Sequence, residues 1–108
     1  MGVIMLDNLK ENLQTLRQLD FDDFSILSLM TEKCTNSVIS KYLRVTPPAV
    51  SHRILKYEKI FGSDIFVKTS GRKELSEKGL DIVNKYKKSF CFLLNVPEDF
   101  ECKKLFEL

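Results

Sequence analysis

Leu43-Arg44-Val45-Thr46-Pro47-Pro48-Ala49-Val50-Ser51-His52-Arg53-Ile54 closes one helix and opens another. Arg44-Val45-Thr46 is the break, with Val45 as an apolar plug. Thr46 can cap the helix that follows, because a threonine oxygen accepts from the unpaired N–H groups of a first turn. Pro47 suits the first helical position, and Pro48 still lies where a missing N–H costs little. Val50, Ile54, Tyr57 and Phe61 then recur at helical spacing, which predicts a helix over 47–60 with one buried stripe. Upstream, Thr35 or Asn36 can cap a helix over 36–43, whose buried positions are Val38, Ile39 and Leu43.

Downstream, Gly62 ends the second helix. Ile65-Phe66-Val67-Lys68 and Lys73-Glu74-Leu75 read as short strands around the turn Thr69-Ser70-Gly71-Arg72. Ser76 caps a final long helix, which Pro97 prevents from running far past Asn95. Its Val83, Tyr86, Phe90 and Leu93 form an apolar stripe that could serve as core or as interface. Residues 98–108 add a helical turn or fray. On the N-terminal side, residues 20–33 read as a helix with Phe21, Phe24, Leu27 and Met30 on one face. Before it, Leu6, Leu9, Leu13 and Leu16 make a narrow helical seam. The expected fold class is mainly α with a minor β part: a winged helix-turn-helix with a long C-terminal linker helix. The expected organisation is an N-terminal helical extension (1–19), the winged domain (20–78), and a linker helix with tail (79–108).

At 108 residues and 44% hydrophobic, the chain suits one packed domain and not a disordered one. No apolar run approaches a membrane span, and the N-terminus does not read as a signal peptide. Cys34, Cys91 and Cys102 are odd in number and widely spaced, which suits a reducing cytosol. Cys34 is expected at a helix end in the core, and Cys91 and Cys102 partly exposed. Net charge is only +2, but its distribution is uneven. Residues 36–88 carry twelve bases and five acids, while both flanks are net acidic. A basic segment of this kind is the electrostatic footprint of a nucleic-acid binder.

Residues 20–83 resemble the N-terminal domain of LysR-type transcriptional regulators. Thr46-Pro47-Pro48-Ala49-Val50-Ser51-His52-Arg53-Ile54 is similar to that family's S-Q-P-A-[LV]-S-x-x-I. Tyr57-Glu58 and Phe61-Gly62 follow in register. Asp64-Ile65-Phe66-Val67-Lys68-Thr69 resembles D-x-L-F-V-R-T, and Leu75-Ser76-Glu77-Lys78-Gly79 resembles the L-T-x-x-G that opens the linker helix. The chain departs from the pattern at Pro47, where the family has glutamine, and at His52, where arginine is common. The wing reads Ser-Gly-Arg instead of Gly-Arg-Arg. The resemblance implies a dimer through the linker helix, and the family's small-molecule effector domain is expected to be absent.

The expected DNA-binding residues are Thr46, Pro47, Pro48, Ser51, His52, Lys56, Lys68, Thr69, Arg72 and Lys73. Ser51 and His52 lie opposite Val50 and Ile54, so they point outward. Ser51 can donate to a phosphate or a base edge, and His52 can read a purine edge or touch phosphate. Thr46 is a cap that could also help bind phosphate. Pro47 and Pro48 could stiffen the turn or offer an apolar face to a thymine methyl. Lys56, one turn past His52, is expected to meet backbone phosphate. Lys68, Thr69, Arg72 and Lys73 make the wing basic, and Arg72 could enter a narrow minor groove. Val83, Tyr86, Phe90 and Leu93 are the expected dimer interface, with the N-terminal seam reinforcing that dimer or covering the stripe.

These expectations describe a sequence-specific, double-stranded DNA-binding regulator of bacterial type, cytoplasmic and nucleoid-associated, acting as a homodimer. The competing expectation is an interaction module that pairs with full-length LysR-type regulators, another transcription regulator, through its linker helix. No cofactor, metal or membrane partner is expected. No enzyme is expected either, because His52 is the single histidine and no glycine loop suits phosphate.

Overall fold

A computed structural model describes residues 2–107, with side chains from residue 9 onward. The elements, in order, are α1 (Gly2–Arg17), α2 (Phe21–Thr31), α3 (Asn36–Leu43), α4 (Pro47–Phe61), a 3-10 turn (Ser63–Ile65), β1 (Phe66–Thr69), β2 (Arg72–Leu75), α5 (Glu77–Leu94) and α6 (Lys103–Phe106). The fold is mainly helical, with one two-stranded antiparallel sheet. Leu6 of the N-terminal seam has its side chain outside the described residues.

α2 is the centre of the core. Asp20 and Asp23 start it with a reciprocal cap: the Asp23 N–H donates to Asp20 at 2.8 Å, and the Asp20 N–H to Asp23 at 3.0 Å. From Ser25 to Met30 every residue is buried, because α3, β2 and α5 all pack on this helix. The one-faced reading of α2 therefore needs correction. Phe21 is half exposed, whereas Ile26 and Leu29 have no exposed surface.

α3 and α4 pack on each other across a short turn. The Thr35 side chain caps α3 by accepting from the Val38 N–H. Arg44 ends α3 in the left-handed region (φ 58°). Its N–H and that of Val45 donate to carbonyls of the last turn, including Ser40. That geometry turns Val45 outward to 40% exposure, and Val38 lies at 37%, so neither is the core residue expected. Ile39, Val50, Ile54 and Tyr57 are buried as expected.

β1 pairs with β2 in the register Phe66 to Leu75 through Thr69 to Arg72. Ser70 and Gly71 make the connection, both at positive φ (53° and 79°), as a tight two-residue hairpin demands. Ser76 caps α5, accepting from the Gly79 N–H at 3.0 Å. α5 starts against the 3-10 turn: a Cβ on Gly79 would lie 2.2 Å from the Ile65 carbonyl oxygen.

The α5 stripe faces inward. Val83 and Phe90 are buried, and Tyr86 is half-buried. The Phe21 and Phe90 rings lie 5.2 Å apart, Phe24 and Tyr86 5.9 Å, and Phe61 and Tyr86 6.0 Å. Of the four expected interface residues only Leu93 is left outside, at 80% exposure. Phe21 and Phe24 of α2 lie against Phe90 and Tyr86, and Val83 is buried as well, so these three pack into the chain's own core in place of the exposed interface expected.

The tail folds back beneath α3. The Glu32 carboxylate accepts from the N–H groups of Cys102 (2.6 Å) and Lys103 (3.1 Å). The Tyr42 hydroxyl donates to Glu107 at 3.0 Å, and its ring stacks on Phe106. Cys91 and Cys102 are both buried, at 3% exposure, in place of the partial exposure expected. Cys34 is half-buried at the end of α2.

Candidate functional site

The first turn of α4 stands on the surface. Thr46 caps it, accepting from the Ala49 N–H at 3.3 Å. Val50 and Ile54 commit one side of the helix to the core. The opposite side must then face water, and Thr46, Pro47, Pro48, Ser51 and His52 are all exposed there. Leu55, one turn further, is half exposed on the same side. Ser51 is held by the Asn36 amide, which donates to its hydroxyl at 3.4 Å.

The hairpin stands across a groove from this face. The groove has a volume of about 500 Å³. Asn36, Ser51 and Leu55 line one side, Lys68, Gly71 and Arg72 the other, and Met30, Cys34 and Ile54 contribute apolar surface. Lys68, Thr69 and Arg72 are exposed. Among the described residues Lys68 makes no ion pair, and Arg72 has only a long one, 3.9 Å to Glu74. Both cations are thus available to an anion. Lys73 is not: it is half-buried and paired with Glu58 of α4, so it fastens the hairpin to the helix.

Lys56 is the main departure from expectation. Its ammonium bonds to Asp23 Oδ2 at 2.6 Å and to the Gln18 carbonyl at 3.1 Å. It therefore points to α2, away from the outer face of α4, and cannot meet a phosphate there without breaking both bonds. Arg53 Nη1 lies 2.8 Å from Asp23 and 2.9 Å from Asp20. The Tyr57 hydroxyl donates to Asp23 Oδ1 at 2.5 Å. Burial alone would raise the Asp23 pKa, but the donors from Lys56, Tyr57, the Asp20 N–H and Arg53 outweigh it and hold the carboxyl at about 2. Tyr57 is pushed well above its ordinary value by burial and by Asp23. Arg53 is raised by the same carboxylate.

This ionic cluster gave only a weak signal in the sequence. Arg53, Lys56 and Tyr57 follow one helical side at spacings of three and one, yet nothing local shows that Asp23 lies beneath them. Asn36, Ser37 and Lys33 also reach the groove, and these were not anticipated. Asn36 and Ser37 open α3, and their proximity to Ser51 depends on how α3 crosses α4.

Among the described residues no group of three or more His, Cys, Asp or Glu could hold a metal ion. No helix among them is long and apolar enough to cross a membrane. Burial pushes the Cys102 thiol up to about 12, with Glu32 adding to the effect, which leaves it a protonated core residue and not a nucleophile. What the site offers is a groove between Ser51 and Leu55 of α4 and the hairpin, with two available cations on the hairpin side. Compared with protein-family models, curated proteins and solved structures, the chain matches none.

Proposed function

We propose that this chain is a sequence-specific, double-stranded DNA-binding transcriptional regulator of the winged helix-turn-helix type, acting as a homodimer. One observation carries the reading: Ser51 and Leu55 of α4 and the available cations Lys68 and Arg72 line the same groove. The resemblance of residues 20–83 to LysR-type DNA-binding domains supports it independently. In this reading α4 enters the major groove, which is about 12 Å wide and admits one helix. Ser51 and His52 meet base edges. Pro47 and Pro48 present an apolar edge, and Leu55 adds a contact suited to a thymine methyl. Lys68, Thr69 and Arg72 hold phosphates or the adjacent minor groove. Lys56 and Lys73 act at one remove, by fixing α4 to α2 and the hairpin to α4.

The test is selection of bound duplexes from a randomised pool at about physiological salt, with Arg72→Ala alongside. A two-fold-symmetric motif whose recovery falls in the variant is the expected result. Failure to enrich any motif would overturn the reading.

A further inference from the structure

Two features of the groove beside α4 go unused if it only receives a phosphate backbone. One is its apolar surface, to which Met30, Cys34, Ile54 and Leu55 all contribute. A polyanion needs the cations but not that surface. The other is Lys33, which lines the groove, is exposed, and makes no ion pair among the described residues. A left-handed backbone at Lys33 (φ 65°) ends α2 at this place. The charge around the groove is one-sided. Lys33, Lys68, Arg72 and Lys73 line it, against the single acid Glu74. Lys73 is already paired with Glu58, and Glu74 stands 3.9 Å from Arg72, so Lys33, Lys68 and Arg72 remain for an incoming anion. The volume, about 500 Å³, falls within the range of small-molecule sites, about 300–1,000 Å³. Such sites combine an apolar surface with a few convergent polar groups, as this one does.

We propose that the groove binds a small aliphatic carboxylate, free in solution, and that this ligand displaces DNA. The cations select the head group. A guanidinium such as that of Arg72 can hold a carboxylate by two parallel hydrogen bonds, and Lys68 adds a second positive charge. The apolar surface selects the tail, which removes Met30, Ile54 and Leu55 from water. No aromatic side chain is among the residues that line the groove, so nothing there stacks on a flat ring, and a flexible chain suits it better. The head group occupies the cations that hold phosphate in the proposed function, and the tail lies against the Ser51 and Leu55 side of α4. Bound acid and bound duplex therefore exclude each other. That exclusion rests on the proposed function; the carboxylate site does not.

The test is a titration of the full chain with octanoate, without DNA, followed by backbone amide chemical shifts. Octylamine, which carries a positive head on the same tail, is the control. Octanoate is expected to saturate with a Kd of about 1 mM or below, as befits a ligand of about ten non-hydrogen atoms. The shifts should fall on Asn36, Ser51, Gly71 and Arg72. Octylamine should leave them in place. The double variant Lys68→Ala, Arg72→Ala should weaken octanoate at least about tenfold, since both charged partners of the head group are lost. Unchanged shifts at the buried Ile26 and Leu29 check that the variant keeps its core. No saturation, equal binding of octylamine, equal binding by the double variant, or shifts on the exposed leucines of α1 in place of the groove would overturn the site. The second arm measures binding of a selected duplex with and without saturating octanoate, and loss of duplex affinity is expected. Full affinity in the presence of bound octanoate would overturn the displacement. A chain that takes octanoate but selects no duplex would overturn the proposed function and leave the carboxylate site standing.

Discussion

Asp23 is fully buried and charged, and it survives there because four donors converge on it: the Tyr57 hydroxyl, the Lys56 ammonium, the Arg53 guanidinium and the Asp20 N–H. A buried charge stripped of its partners is expensive, and so is a pair of cations stripped of theirs. Asp23→Ala is therefore expected to cost about 3–5 kcal/mol in urea unfolding. The carboxyl also makes stability depend on pH. Its folded pKa, about 2, lies below the ordinary 3.8, so its contribution is complete above about pH 4 and is lost as pH falls toward 2. Acid unfolding of Asp23→Asn should lack that component, and an unchanged acid profile would count against the cluster. At the surface, His52→Ala is expected to change which sequences are preferred. Arg72→Ala should weaken binding to all sequences and lower the salt slope by about 1. Binding isotherms over a salt series separate the two effects.

At the scale of elements, the hairpin and α5 depend on two glycines for different reasons. Gly71 has φ 79° and open space around it, so Gly71→Ala meets only backbone strain, about 1 kcal/mol. Gly79 has ordinary φ but no room: a Cβ there meets the backbone of Ile65. Gly79→Ala must push α5 off the 3-10 turn and is expected to destabilise the fold by more than Gly71→Ala does. Thermal unfolding of the two variants ranks them, and the reverse order would contradict the close approach. The α3–α4 unit is held by caps at both its starts, Thr35 and Thr46. Losing the Thr46 hydroxyl to alanine should cost about 1 kcal/mol.

Over the whole molecule, α2 is the post on which the other parts hang. α5 covers it with aromatics, α4 is pinned to its first turn by Asp23, and the tail is pinned near its last turn by Glu32. The tail thus closes the side of the domain opposite the Asp23 cluster in sequence terms, at the far end of the same helix. Glu32→Ala removes the acceptor of two backbone N–H groups and of the Lys87 ion pair. It is expected to release residues 98–107 and expose Cys102. Native thiol labelling should then quicken at Cys102 by at least about tenfold, as the opening free energy falls. Equal labelling rates in the variant and wild-type chains would mean that the apolar contacts of Leu105 and Phe106 suffice.

The sequence by itself determined the order of the main helices and the hairpin and several of their ends. Caps at Thr35, Thr46 and Ser76, the proline pair at 47 and 48, and glycines at 62 and 71 act within one or two turns of chain. Local chemistry is legible locally, and for the same reason the outward face of α4 could be read from the positions of Val50 and Ile54. What only the tertiary structure decided was the destination of each apolar or charged side chain that had two places to go. The stripe of Val83, Tyr86 and Phe90 had the periodicity of an interface and of a core alike; the packing of α5 on α2 turned it inward. Lys56 had the position of a phosphate ligand, but a long flexible side chain reaches either way round a helix. A buried carboxylate 33 residues away in the chain drew it inward, because a charge without water binds the nearest cation far more strongly than solvent does.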